Sequence, residues 1–472
     1  MSSPLLVVRG NKIVRADDPE EKEVLLRGAG LGGWMNMENF ITGYPGHEHE
    51  MREAMLDVLG QEKYDFFFDK FLEYFFTEKD AKAFADLGLN CIRLPVNYRH
   101  FEDDMNPRVF KKEGLKHLDR VIDLCAKYGI YTIIDLHAAA GAQNVDWHSD
   151  LGVHKALFWE YRDFQDRTVL LWEWLAEHYK DNAWVAGYNP LNEPTDRKGT
   201  RLVAFYERIE KAIRAVDPRH ILFLDTFGSD LTAFMGKPAL PNTVYAIHDY
   251  TSYGFPNPPE LYEGTPEQKE TLRRSYERKI AYMKEINGPI WNGEFGPVYA
   301  NAQDEPETYE KTNASRYLAL EDQLGLYDQQ PRASWSIWLW KDIGFQGMVY
   351  VDKETPYMRL LEPFLLKKKE LVIDAWGVDD TPVRDVFKPL IEWAHAASPA
   401  LRQKYPSTWN EARYIRRVVR ETLLAESLCA EYAEYFRDKS LDELDDLARS
   451  FEYDQCVQRE RLNSILQAHR GA

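Results

Sequence analysis

The chain has only four cysteines in 472 residues, Cys91, Cys125, Cys429 and Cys456. They lie far apart, without a CxxC pair or other ligand spacing. This excludes a disulfide framework and a thiolate metal site, and predicts free thiols in a reducing compartment. No apolar run is long enough to cross a bilayer, so membrane insertion is not expected. The opening "MSSPLLVVRGNK" has no basic residue ahead of its short apolar stretch. We therefore expect no signal peptide and a cytoplasmic location, with only an unconventional route to the outside left open. Positive charge is scarce as well: 59 Lys and Arg stand against 77 Asp and Glu, a net charge of −18. Such a field repels polyphosphates, so nucleic acid is not an expected partner. Repeats of solenoid period and low-complexity tracts are absent too.

Aromatic residues, by contrast, are plentiful: 13 Trp, 27 Tyr and 23 Phe. With 44% hydrophobic residues there is material for a large core, and a mean hydropathy of −0.52 indicates a soluble surface. Many rings together with many carboxylates suit a neutral ligand that stacks on rings and hydrogen-bonds to acids, as sugars do. The same rings would also serve as plain core.

Eight short β-rich runs alternate with amphipathic helical stretches between about residues 24 and 340. They are "EVLLRG", "NCIRLPV", "IYTIIDLH", "WVAGYN", "HILFLD", "TVYAIHDY", "GPIWNGE" and "RASWSIWLW". Strands separated by helices imply crossover connections and a parallel sheet. Eight of them predict an α/β fold, a closed (β/α)8 TIM barrel. Glycines cluster after the first run in "GAGLGGW", but a loop follows rather than a helix, which argues against a dinucleotide site; no cofactor is expected. Long loops are predicted at Thr251–Gln268 and from Lys341 to about Pro363. Beyond residue 375 the strand pattern stops, and capping boxes at Thr408 with Glu411 and Ser440 with Glu443 introduce helices. The expected organisation is a catalytic barrel over residues 1–375, with an N-terminal strand, and a C-terminal helical extension over 376–472.

In a barrel, chemistry collects where strands end. The polar residues there are Arg93, His137, Asn192 and Glu193, His248 and Tyr250, and Glu294, with Trp338 in the last run. Each alone has an ordinary structural explanation; together they converge on one rim. Two carboxylates across a pocket are what glycosidic cleavage needs, one to protonate the leaving oxygen and one to meet the positive charge on the anomeric carbon. Arg93 and Tyr250 are placed to keep one carboxylate ionised, and a drier site would keep the other protonated. Asn192 could bond a sugar 2-hydroxyl, and Trp338 offers a flat platform for a sugar ring. Histidines in "GHEHE", His47 to Glu50, and at His148 and His154 lie in polar loops without tight metal spacing, and no metal is expected.

These residues resemble glycoside hydrolase family 5, in the clan marked by an Asn-Glu pair ending strand four and a Glu ending strand seven. The resemblance covers most of residues 24–345. "LRGAGLGGWMNMENFI" is similar to the opening of fungal exo-β-1,3-glucanases, which implies that Glu38 binds a terminal sugar. By the same resemblance, Arg93 is the strand-two arginine and His137, Gln143 and Asn144 belong to the strand-three motif. It also implies Asn192 and the acid/base Glu193, His248 and Tyr250, the nucleophile Glu294 and the tryptophan Trp338. The run "AAAG" after His137 departs from the Gly-Ala-Pro-Gly of the exo-glucanases.

The expected function is a retaining β-glycosidase that acts on β-glucosides through a covalent glycosyl-enzyme, with a β-1,3-glucan-type oligosaccharide or a small glycoconjugate as substrate. Alternatives are a diglycosidase releasing rutinose, a glycolipid or steryl β-glucosidase, a transglycosylase and, from another class, an inactive carbohydrate-binding barrel.

Overall fold

In the computed structural model the apolar runs close into a parallel barrel in chain order. Its strands are β1 (Arg27–Gly30), β2 (Cys91–Asn97), β3 (Tyr131–Ala138), β4 (Val185–Asn189), β5 (Ile221–Leu224), β6 (Thr243–His248), β7 (Ile290–Glu294) and β8 (Ala333–Ile337), with β8 returning to β1. The structure describes residues 5–196, 198–226, 231–303, 305–373, 376, 379–401 and 411–471. Every residue of these strands is buried. This is why they read as continuous apolar runs rather than as alternating ones. Register sets Arg93 beside Gly30 on one side and Ile133 on the other.

Helices cover the outside, among them Leu115–Lys127, Arg162–Tyr179, Leu202–Val216 and Tyr309–Tyr327. The connection from β5 to β6 has only the 3-10 turn Leu231–Phe234 among its described residues. A hairpin, Leu6–Arg9 with Lys12–Arg15, closes the N-terminal end. Its Leu6 and Ile13 join Ile133, Phe223 and Trp291 in one buried cluster.

Several boundaries differ from the sequence reading. β4 stops at Asn189, so Asn192 and Glu193 stand on the following loop, and Glu193 has a left-handed φ of 44°. Trp338 likewise follows β8, and the Trp338–Leu339 peptide is cis. The loop expected up to Pro363 is shorter: it carries two strands, Lys341–Asp342 and Val349–Val351, and a helix starts at Pro356. Proline fits there because the first helical turn needs no donor from that position.

The C-terminal extension is not purely helical. Cys456–Gln458 is a strand that pairs antiparallel with Val349–Val351. Phe436 packs on Phe67 with ring centroids 5.4 Å apart, and Phe451 on Phe71 at 5.0 Å. Both partners belong to the long helix Glu48–Phe75, so the extension completes the barrel's own core. The capping box at Ser440 and Glu443 is present and starts helix Leu441–Arg449. Thr408 lies outside the described residues.

Candidate active site

Arg93 is the hub of the rim, fully buried on β2. Its Nη1 donates to Oε1 of Glu294 at 2.6 Å, and its Nη2 donates to Oδ1 of Asn192 at 2.6 Å. The same Nη2 lies 3.0 Å from Asp135. Asn189 and Asp225 complete its surroundings at 3.2 Å and 3.9 Å. A buried guanidinium needs such partners, because an unpaired charge in the interior costs several kcal/mol.

The two predicted glutamates meet. One carboxylate oxygen of each, together with a ring nitrogen of His248, lies within 4.8 Å of the others. Three donors so close could also face a cation, which would compete with the Arg93 guanidinium already in contact with Glu294. Tyr250 donates its hydroxyl to Oε2 of Glu294 at 3.1 Å. His248 places Nδ1 2.8 Å from Oε1 of Glu193 and 3.6 Å from Oε2 of Glu294. Glu193 donates its backbone N–H to Oδ1 of Asp225 at 3.0 Å, which holds the left-handed turn that aims its side chain.

Environment separates the pair. Burial, reinforced by the negative charge of Asp146 and opposed by Arg93, pushes Glu193 up to about 8. Burial also raises Glu294, but the Arg93 guanidinium opposes it through its charge and its hydrogen bond. His248 is pushed down to about 4, chiefly by burial, and is neutral at pH 7. Hence Glu193 holds its proton at neutral pH, and Glu294 carries the hydrogen bonds that favour a carboxylate.

At the other end of the site Glu38 accepts Nε1 of Trp147 at 2.9 Å through Oε2. Its Oε1 is buried without a hydrogen-bond partner, 3.7 Å from Nε2 of His137. Burial holds the Glu38 carboxyl well above its usual range. A buried acceptor left open in this way is suited to a ligand hydroxyl. His137 is oriented by Asp135, whose Oδ2 lies 2.7 Å from its Nδ1, and its Nε2 is 3.3 Å from Nδ2 of Asn192.

Asn144 uses its amide on the protein: Nδ2 donates to the carbonyl of Glu193 at 3.0 Å and meets Nε2 of His148 at 2.9 Å. Gln143 similarly donates Nε2 to the carbonyl of Asn192 at 2.9 Å. These two residues shape the loop that carries Glu193. Trp338 is 2% exposed, and its ring is parallel to that of His137 with centroids 5.4 Å apart. A Cβ on Gly30 or Gly32 would come within 2.7 Å and 2.5 Å of this indole. The glycines of "GAGLGGW" thus admit a tryptophan against the backbone.

Sequence reasoning passed over Asp135, Asp225, Asp146, Trp147 and the nearness of His148 to Glu193, whose Oε2 lies 3.6 Å from Nε2 of the histidine. Asp225 directly follows β5, as the strand-end rule would have indicated. His47 and Glu50 form a capping box for helix Glu48–Phe75, which explains much of "GHEHE".

The model of the family described as "Cellulase (glycosyl hydrolase family 5)" matches residues 62–344. The chain is 58% identical over 466 residues to a protein of Phanerodontia chrysosporium named beta-xylosidase, covering 98% of this chain and 97% of that one. Solved structures with a similar fold include a rutinosidase from Aspergillus niger, with TM-score 0.51, 18% identity and 68% of this chain and 90% of that chain covered. An endogalactoceramidase superposes with TM-score 0.51 at 17% identity, over 72% of this chain and 75% of that chain. A family match across more than half of the sequence, on a closed eight-stranded barrel, places the chain in glycosyl hydrolase family 5, enzymes that act on O-glycosidic bonds.

Proposed function

We propose that the protein is a retaining β-glycosidase that removes one β-linked sugar from the end of its substrate, with a β-xyloside as the first substrate class. The observation that carries the mechanism is the short reach between the two carboxylates, within 4.8 Å oxygen to oxygen. An approach this close is in keeping with the roughly 5–5.5 Å carboxyl separation of a retaining pair rather than the roughly 6.5–9.5 Å of an inverting one. Glu294, bonded by Arg93 and Tyr250, attacks the anomeric carbon. Glu193, protonated at neutral pH, gives its proton to the departing oxygen. In the second step Glu193 takes a proton from water, which displaces the sugar from Glu294 and retains its configuration.

Glu38, with its open Oε1, is the group we assign to the hydroxyls at the far end of the sugar, and His137 and Asn192 to those nearer the reaction. The full-length likeness to a beta-xylosidase supports a pentose. A β-glucoside is the second reading, supported by the similarity of the Glu38 segment to exo-glucanases.

The test is hydrolysis of aryl β-xyloside and aryl β-glucoside, with the first-formed anomer read by NMR. The β-anomer is expected, and an initial α-product refutes the double displacement. With Glu294→Ala, turnover should fall by roughly 10⁴-fold or more; unchanged turnover refutes the nucleophile.

A further inference from the structure

Trp376 lies beyond residue 344, where the family match ends, at the start of the extension. Its indole Nε1 donates to Oε1 of Gln346 at 2.8 Å. Gln346 is itself buried, and its Nε2 donates to the carbonyl of Gly296 at 3.3 Å, two residues after Glu294.

Four rings from three barrel loops surround this indole. It stands edge-on to Tyr250 with centroids 5.1 Å apart and to Phe255 at 4.9 Å. It also meets Phe40 at 5.9 Å and Trp147 at 6.4 Å. Tyr250 is the residue that hydrogen-bonds Glu294, and Trp147 is the residue that hydrogen-bonds Glu38. Trp376 therefore bridges the reacting end of the site and its far end.

The extension is tied to the same rim a second time. Arg417 pairs with Asp146, and its guanidinium lies 4.8 Å from the Trp147 ring centroid. Trp376 nevertheless stays only half-buried, whereas Trp338 is closed off. An indole fixed by a buried amide, ringed by site aromatics and still partly open, is a surface prepared for a ligand.

We propose that Trp376 is a substrate-contacting residue that walls the sugar pocket, so that the C-terminal extension determines which terminal sugar is accepted. An indole in this position stacks on the C–H face of a pyranose and narrows the space available to a substituent on C5. The proposal rests on the assignment of Glu193 and Glu294 as the reacting pair.

The experiment measures kcat and KM for aryl β-xyloside and aryl β-glucoside with wild type, Trp376→Ala, Trp376→Leu and Trp393→Ala. Trp393 belongs to the same extension but is exposed, and its variant should behave as wild type. For Trp376→Ala we expect KM for the xyloside to rise about 10-fold, with kcat within about threefold. The xyloside-to-glucoside ratio of kcat/KM should fall toward one. Trp376→Leu keeps bulk without a π face, and it decides the matter if the alanine variant does not fold. KM and ratio within twofold of wild type overturn the proposal. So does an equal loss of kcat on both sugars at unchanged KM, which would mark a structural role. A mechanism-based 2-deoxy-2-fluoro glycoside separates the two readings: if wild type forms no adduct on Glu294, the assignment of the reacting pair fails instead.

Discussion

Nη1 of Arg93 lies 2.6 Å from Oε1 of Glu294, and the pair is sealed from solvent by the rest of the rim. Arg93 is also the cation that faces Asp135 and Asp225. Arg93→Ala should therefore do two things. It should lower kcat/KM by roughly 10²–10³-fold, and it should destabilise the fold by about 3–5 kcal/mol, because buried carboxylates lose their countercharge. The acid limb of the pH profile should move to higher pH, since the guanidinium lowers the Glu294 pKa. Kinetics across pH with a thermal melt checks both, and an unmoved acid limb contradicts the assignment.

On the proposed mechanism the alkaline limb belongs to Glu193, which must be protonated to act as an acid. Activity should fall as pH rises through about 8 in the free enzyme. Asp146→Asn removes a negative charge that raises this pKa, so the alkaline limb should shift to lower pH. Leaving Arg417 without its partner acts in the same direction. A shift to higher pH would show that Asp146 does not act through its charge.

Glu193 also sets a stability cost. Its pKa in the folded protein is raised above the unfolded value near 4.5. Between those two values the folded state binds more protons than the unfolded one, so stability falls as pH rises across that window. Glu193→Gln should abolish most turnover yet raise stability at pH 7 by about 1–3 kcal/mol. Urea unfolding at pH 5 and pH 7 tests this, and the gain should be smaller at pH 5.

Removal of residues 376–472 should leave no soluble barrel. Phe67 and Phe71 would lose Phe436 and Phe451, and Val349–Val351 would lose its antiparallel partner. A monomeric, cooperatively melting truncation product would show instead that the barrel is autonomous.

The barrel and its two glutamates were legible because each apolar run ends in a polar residue, and that pattern is local. Arg93 and Glu294 lie within or at the end of such runs. Glu193 stood out although its strand ends at Asn189, since Asn-Glu-Pro marks a turn on its own. Asp135 was hidden because it lies inside "IIDLH", where an acid reads as an interruption of the strand rather than as the group that orients His137. Asp146 gains its meaning from Arg417, 271 residues later, and no periodicity announces such a pair. The extension looked helical because its only strand among the described residues, Cys456–Gln458, is short and is defined by its partner across the chain.

The seam between helix Glu48–Phe75 and helix Leu441–Arg449 joins segments made far apart in time. Tyr74 and Asp445, hydrogen-bonded at 2.8 Å, are 371 residues apart. At about 5–20 residues per second, a ribosome takes roughly 20–75 s to cover that distance. Throughout that interval the aromatic stripe of Phe67 and Phe71 has left the exit tunnel without the residues that will cover it. The nascent chain thus presents an adhesive surface for the whole of that interval.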